Sequence, residues 1–154
     1  MPRFQENGKK KVMDNSSYRL ISLKPIKDTR GVLTPLDFEK ELKFLPRRTF
    51  FLSASEVETI RGEHAHRVSI QAIQCVHGAV ELSIHDGRNL ATEKLLSIEK
   101  ILIIPVLHWI TLKFLVKNSH VAVYASHPYD EADYLRNFEE FLAEANQTSL
   151  RTTE

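Results

Sequence analysis

Two histidines separated by one residue are the side chains in this sequence best suited to chemistry. They belong to the run Arg61-Gly62-Glu63-His64-Ala65-His66. Side chains alternate between the two faces of a β-strand, so an extended backbone places His64 and His66 on the same face. Two such imidazoles can bind a metal ion together or transfer protons near neutral pH, because the ordinary pKa of histidine is about 6.5. An exposed pair on an edge strand would do neither, so the surrounding sequence must decide between these alternatives.

The elements around this motif are predicted to be mainly β-strands. Val80, Leu82 and Ile84 alternate with polar residues, which is typical of a half-buried strand, and Asp86-Gly87 then predicts a hairpin turn. Further short alternating segments follow at regular intervals between glycines. This arrangement favours a β-sandwich or β-barrel.

One helix is predicted at the C-terminal end of the barrel. Apolar residues recur with helical spacing from Asp130 to Leu142, and acidic residues occupy the first turn. We therefore predict an all-β fold, a small barrel closed by a C-terminal α-helix. Residues 18–146 would form the single domain, with a flexible leader at 1–17 and a flexible tail at 147–154.

Composition and charge exclude several classes of protein. The 154 residues include 21 Lys and Arg against 20 Asp and Glu, and this balance is unlike that of a general nucleic-acid binder. The longest apolar stretch, Ile101 to Leu107, is far shorter than the roughly 20 residues that span a bilayer. The single cysteine, Cys75, excludes an intrachain disulfide and a CxxC site. We expect a cytoplasmic protein that binds neither nucleic acid nor membranes.

A glutamine near the histidines argues against a metal site. The spacing of His64, His66, Gln71 and Gly78 is similar to the first motif of the cupin family, in which a metal-binding glutamate occupies the position of Gln71. A neutral amide is a weaker ligand for a divalent ion than a carboxylate. His108 follows a proline, as a further cupin histidine does, but at a different spacing. We therefore expect no metal and no other cofactor, and an acid–base role for the histidines.

A longer set of motifs resembles one family of sugar-nucleotide enzymes. The run at residues 61–66, the Asp28-Thr29-Arg30-Gly31 segment and the stretch from Ala125 to Tyr134 carry this resemblance. Over residues 18–142 the chain resembles the dTDP-4-keto-6-deoxyglucose 3,4-ketoisomerases, which are WxcM-like sugar-nucleotide cupins. The resemblance implies a cupin-type jelly roll and a metal-free isomerase of deoxysugar and surface-polysaccharide biosynthesis. It also implies a homodimer that exchanges N-terminal strands.

The resemblance further implies roles for individual residues. His64 would remove the C3 proton of a dTDP-linked 4-keto-6-deoxyhexose, giving an enediolate, and His66 would shuttle a proton or orient the substrate. Other side chains would bind the substrate through its diphosphate, its sugar or its developing oxyanion. These substrate-binding candidates are Arg61, Gln71, Arg67 and His108.

One departure from the family concerns catalysis. The family has a catalytically implicated tyrosine eleven residues before the arginine of the motif, where this chain has Phe50. A phenyl ring neither donates nor accepts a proton. Three hypotheses follow: an isomerase in which His108 supplies the missing acid, a protein that binds a dTDP-sugar without turnover, and, least favoured, a metal-dependent cupin. Elsewhere, Trp109 is expected in the core and His85 on the surface.

Overall fold

Two five-stranded antiparallel sheets share one hydrophobic core. The computed structural model describes residues 17–151, so the predicted leader lies outside the described residues except for Ser17. In spatial order, the first sheet contains β1 (Arg19–Ser22), β9 (Lys100–Ile104), β6 (Gln71–His77), β11 (Ser119–Ala125) and β4 (Arg48–Ala54). The second contains β12 (Tyr134–Leu135), β5 (Ile60–His66), β10 (Trp109–Phe114), β7 (Val80–His85) and β8 (Leu90–Leu95).

A hairpin and three helical segments complete the described part of the chain. The hairpin consists of β2 (Ile26–Asp28) and β3 (Gly31–Leu33). A π-helical turn spans Phe38–Leu42, a 3₁₀ turn spans Glu131–Asp133, and helix α1 spans Phe138–Arg151. Across residues 17–151, none of these helices has both the length and the apolar character needed to cross a bilayer.

The core forms where the inward faces of the two sheets meet. In β7 the predicted alternation is confirmed, since Val80, Leu82 and Ile84 are buried while the residues between them are partly exposed. The facing sheet contributes Ile73 and Leu102 to the same cluster. This arrangement confirms the prediction of an all-β cupin-type jelly roll with one C-terminal helix.

The helix begins eight residues later than the sequence predicts. Tyr134 and Leu135 instead form β12, which pairs with His66 and Ala65 at the edge of the second sheet. The helical spacing is misleading here, because backbone pairing with β5 and the buried carboxylate of Asp133 hold this segment extended. Helix α1 also continues to Arg151, into the segment that the sequence predicts as a tail.

Helix α1 covers the outer face of the second sheet. Phe141 is fully buried against Ala65 and Leu135. Trp109 packs with its ring centroid 5.7 Å from that of Phe141, as expected for a core residue. The prediction that His85 is solvent-exposed is wrong, because its ring packs edge-on at 6.0 Å from Phe141 and is half-buried beneath the helix.

Candidate active site

A β-bulge sets the position of the two motif histidines. Gly62 and His64 of β5 pair with Thr111 and Ile110 of β10, which leaves Glu63 without a partner. Gly62 has a φ of 87°, and a Cβ there would lie 2.8 Å from the carbonyl oxygen of Ile110. Only glycine fits this position. Beyond the bulge, the rings of His64 and His66 lie on the same side of the strand with their centroids 5.0 Å apart.

A cavity of about 480 Å³ opens beside His64. Its volume lies in the range of about 300–1,000 Å³ that is usual for small-molecule sites. Three of the sequence-predicted site residues, Arg61, His64 and Gln71, line it together. Phe50 lines it as well, and so do Tyr134 and Arg136, which are not among the sequence-predicted site residues.

His64 presents a neutral imidazole to this cavity. Its Nδ1 lies 2.9 Å from the carbonyl oxygen of Gly62. A carbonyl only accepts hydrogen bonds, so Nδ1 carries the proton and Nε2 keeps a lone pair. Burial lowers the pKa of His64 below its ordinary value, the bond to Gly62 raises it in part, and the charge of Arg136 lowers it further. The imidazole is therefore unprotonated at neutral pH and able to accept a proton.

His66 is oriented by a buried carboxylate. Its Nδ1 donates to the Oδ2 of Asp133 over 2.7 Å, and its Nε2 is buried without a partner among the described residues. Burial by itself would raise the pKa of Asp133. Hydrogen bonds from Ser69, from the backbone of Val68 and from His66 outweigh this effect and lower the pKa to about 2. The carboxylate therefore stays ionised and fixes the Nδ1-protonated tautomer of His66. Burial lowers the pKa of His66 itself, although Asp133 partly opposes this effect.

Three of the predicted site residues, His66, Arg67 and His108, lie outside the cavity wall. Arg67 is absent from the cavity wall and donates instead to Glu144 on α1, at 2.8 Å, and to the carbonyl oxygens of Ala132 and Tyr134. Alternation explains this position, because Arg67 follows His66 directly and so points to the opposite face, beneath the helix. His108 is also outside the cavity wall. It is 6% exposed, and its Nδ1 donates to the carbonyl oxygen of Val106 over 2.9 Å.

Three further residues around the site come from a single segment of the chain. Asp133, Tyr134 and Arg136 occupy the stretch that was predicted to be helical, so it offered no reason to place them beside the histidines. The family-like segment that ends at Tyr134 was the one sequence signal for this part of the site.

The donor set does not fit a divalent metal. Across residues 17–151, no three histidine, cysteine, aspartate or glutamate side chains converge as a metal site would require. The neutral amide of Gln71 replaces the carboxylate of the cupin motif, and an amide is a weaker ligand for a divalent ion than a carboxylate. Two neutral imidazoles beside an ionised carboxylate are instead suited to proton transfer.

The fold is a cupin-type jelly roll, and its candidate site is a cavity beside a pair of histidines. Residues 16–146 match the model of the family described as FdtA, WxcM-like, C-terminal, and the chain belongs to that family.

Similar proteins support this assignment. The chain is 29% identical over 131 residues to a TDP-4-oxo-6-deoxy-α-D-glucose-3,4-oxoisomerase of Aneurinibacillus thermoaerophilus, with 83% of this chain and 94% of the relative covered. A 3,4-ketoisomerase from Helicobacter canadensis has a TM-score of 0.80 at 29% identity and covers 84% of this chain and 97% of its own. The sugar 3,4-ketoisomerase QdtA from Thermoanaerobacterium thermosaccharolyticum, in complex with TDP, has a TM-score of 0.82 at 27% identity. The match covers 89% of this chain and 98% of QdtA.

Proposed function

We propose that this protein is a sugar-nucleotide 3,4-ketoisomerase acting on a dTDP-linked 4-keto-6-deoxyhexose. One observation carries the proposal. His64 lines a cavity together with two arginines, and its Nε2 carries no proton. Family membership and the similar oxoisomerase and ketoisomerases support the same reaction class. The protein is thus an isomerase of keto-sugars.

The reaction moves a carbonyl from C4 to C3 of the sugar. His64 removes the C3 proton, and the electrons of the C–H bond form an enediolate across C3 and C4. His66, held by Asp133, shuttles a proton or orients the substrate. Both imidazoles have lowered pKa values, which keeps them available as bases at neutral pH.

The cavity has groups suited to each part of the substrate. Arg61 and Arg136 provide guanidinium donors, which match the oxygens of a diphosphate. Gln71 is almost fully buried on β6 and offers an amide that can hydrogen-bond to sugar hydroxyls. A similar enzyme, QdtA, was crystallised with TDP. A nucleotide-linked substrate and the free, buried thiol of Cys75 favour the cytoplasm as the site of the reaction.

The test is isotope exchange in deuterium oxide. Purified protein incubated with dTDP-4-keto-6-deoxyglucose should form the 3-keto isomer and incorporate deuterium at C3 or C4, as followed by NMR. His64→Asn should abolish both signals. His120→Asn is a matched control, because the Nδ1 of His120 also bonds to the carbonyl two residues earlier, at 2.8 Å, but on the exposed surface. Exchange that persists in His64→Asn would contradict the proposed base. Stoichiometric metal that is required for turnover would contradict the acid–base mechanism.

A second candidate is a protein that binds a dTDP-sugar without turnover. Phe50 favours it, because its phenyl ring lines the cavity where the resemblance implies a catalytic hydroxyl. Tight binding of TDP with neither isomerisation nor exchange would favour this candidate over the isomerase.

The proposed assembly is a homodimer in which N-terminal strands are exchanged. The β2–β3 hairpin supports it, because Ile26, Val32 and Leu33 are 58%, 59% and 62% exposed. Apolar side chains exposed together mark an interaction surface. Analytical ultracentrifugation should find a dimer that becomes a monomer in Val32→Lys/Leu33→Lys. Leu90→Lys is the control, because Leu90 is 66% exposed on β8, an edge strand of the second sheet that does not pair with the hairpin. A monomeric wild type would refute the assembly.

A further inference from the structure

The cavity needs a hydroxyl group that Phe50 cannot provide. Moving a carbonyl from C4 to C3 transfers one proton between carbon atoms and another between oxygen atoms. The second transfer requires a group that donates a proton to O4 and accepts one from the O3 hydroxyl. A phenol can do both, but the phenyl ring of Phe50 can do neither.

Tyr134 lies on the facing sheet of the same cavity. Through the pairing of β12 with β5 it is directly opposite His66, and its ring centroid is 4.4 Å from that of His66. The centroid of His64 is 5.2 Å away. Tyr134 therefore contacts both motif histidines from one side and lines the cavity at that point.

Of the four tyrosines in the chain, Tyr134 has the uncommitted hydroxyl. Tyr18 donates to Glu93, Tyr124 to Gln74 and Tyr129 to Glu131. Within the described residues, the Tyr134 hydroxyl makes no hydrogen bond. A partly buried phenol normally finds a partner, so a ligand in the cavity is a natural one.

A fixed positive charge accompanies this phenol. The guanidinium of Arg136 lies 4.3 Å from the centroid of the Tyr134 ring. Glu131 holds that guanidinium in place through two hydrogen bonds of 2.8 and 3.2 Å. A guanidinium held over the face of the ring keeps the phenol oriented at the cavity wall.

We propose that Tyr134 is the catalytic hydroxyl that carries the proton from O3 to O4, in place of the tyrosine that Phe50 replaces. The inference rests on the proposed ketoisomerase function. When His64 takes the C3 proton, the C–H electrons form the C3=C4 bond, and the electrons of the C4 carbonyl move onto O4, which takes the phenolic proton of Tyr134. The phenolate then takes the proton of the O3 hydroxyl, and the released O–H electrons form the C3 carbonyl. The C3=C4 electrons take the proton back from His64 at C4, so both side chains return to their starting states and no oxidant is required.

The test combines a loss with its rescue. Tyr134→Phe should lower kcat about 100-fold or more, as expected for the loss of a general acid–base group, while the affinity for TDP is unchanged. Adding Phe50→Tyr to the Tyr134→Phe variant should raise kcat again by at least about tenfold, because it returns a hydroxyl to the facing wall of the cavity. Tyr124→Phe is the matched control, since Tyr124 is also half-buried but donates to Gln74 outside the cavity.

The outcomes separate this inference from the function on which it rests. If wild type isomerises the substrate and Tyr134→Phe keeps its kcat, the inference fails and the ketoisomerase stands. A loss of kcat that comes with an equal loss of TDP affinity, or that the second hydroxyl does not relieve, identifies a structural role and also overturns the inference. If wild type itself neither exchanges nor isomerises, the proposed function has failed.

Discussion

Replacing Asp133 by asparagine should separate the structural role of this carboxylate from its role in proton transfer. Its Oδ1 accepts from the backbone N–H of Val68 at 2.6 Å and of Ser69 at 3.3 Å. In Asp133→Asn these two donors hold the amide oxygen in place, so the amide nitrogen must face His66. An amide nitrogen only donates, so the Nδ1 of His66 must become an acceptor and its proton must move to Nε2. The variant should therefore fold with the wrong tautomer of His66.

The cost in stability follows from the pKa of the carboxyl. It falls from 3.8 to about 2 in the folded protein, even though burial alone would raise it, because of the hydrogen bonds from Ser69, Val68 and His66. At about 1.36 kcal/mol per pH unit, this difference corresponds to about 2 kcal/mol of folding free energy. Because the folded pKa is lowered, the contribution is complete above the unfolded value of 3.8 and is lost as the pH falls toward 2.

Two measurements check this reasoning. Urea denaturation should find Asp133→Asn less stable than wild type by about 2 kcal/mol at pH 7 and at pH 5, with the difference shrinking below pH 4. Nitrogen-15 NMR of the imidazoles should place the His66 proton on Nδ1 in wild type and on Nε2 in the variant, with kcat lower by about 100-fold or more. A stability difference that does not change with pH, or an unchanged tautomer, would refute this account of Asp133.

Three further predictions concern the same site and its surroundings. Burial lowers the pKa of His64 and of His66, so kcat/KM measured from pH 5 to pH 8 should fall only below the ordinary histidine value of 6.5; an acidic inflection above it would contradict the neutral-base mechanism. Gly62→Ala should destabilise the fold by roughly 1–3 kcal/mol and lower kcat, because the φ of 87° and the Ile110 carbonyl oxygen both oppose a Cβ; an unchanged Tm would show that the bulge relaxes. Arg67→Ala should lower stability by about 1–2 kcal/mol through the lost contacts to Glu144 and to the carbonyls of Ala132 and Tyr134, while KM for the nucleotide sugar stays the same; a raised KM would return Arg67 to the substrate site.

The residues that the sequence located correctly are those with a local signal. Burial in β7 follows the period-2 pattern of Val80, Leu82 and Ile84, because alternation directly reflects which face meets the core. The same rule placed His64 and His66 on one face. It also directs Arg67, which follows His66 directly, to the opposite face.

The residues that the sequence did not locate depend on contacts between distant parts of the chain. Asp133 reaches His66 across 67 positions, and Tyr134 reaches it only because a two-residue strand pairs with the end of β5. The spacing of apolar residues in that segment is helical, and it continues without a break into the real helix that follows. No short-range pattern distinguishes the two, because the deciding hydrogen bonds come from the loop after β5.

The positive charge of Arg136 gives the site a further property. Burial is the largest cause of the lowered pKa of His64, and Arg136 lowers it as well, so in the free protein the base is unprotonated but weak. In the proposed function, a diphosphate bound to Arg136 would offset part of that positive charge and so strengthen His64 as a base once the substrate is in place. The nucleotide end of the substrate would then contribute to the chemical step at the sugar, through the charge it places beside His64. A keto-sugar without its diphosphate should then react with a lower kcat and not merely bind more weakly. The reason is that a remote part of the substrate would be stabilising the transition state.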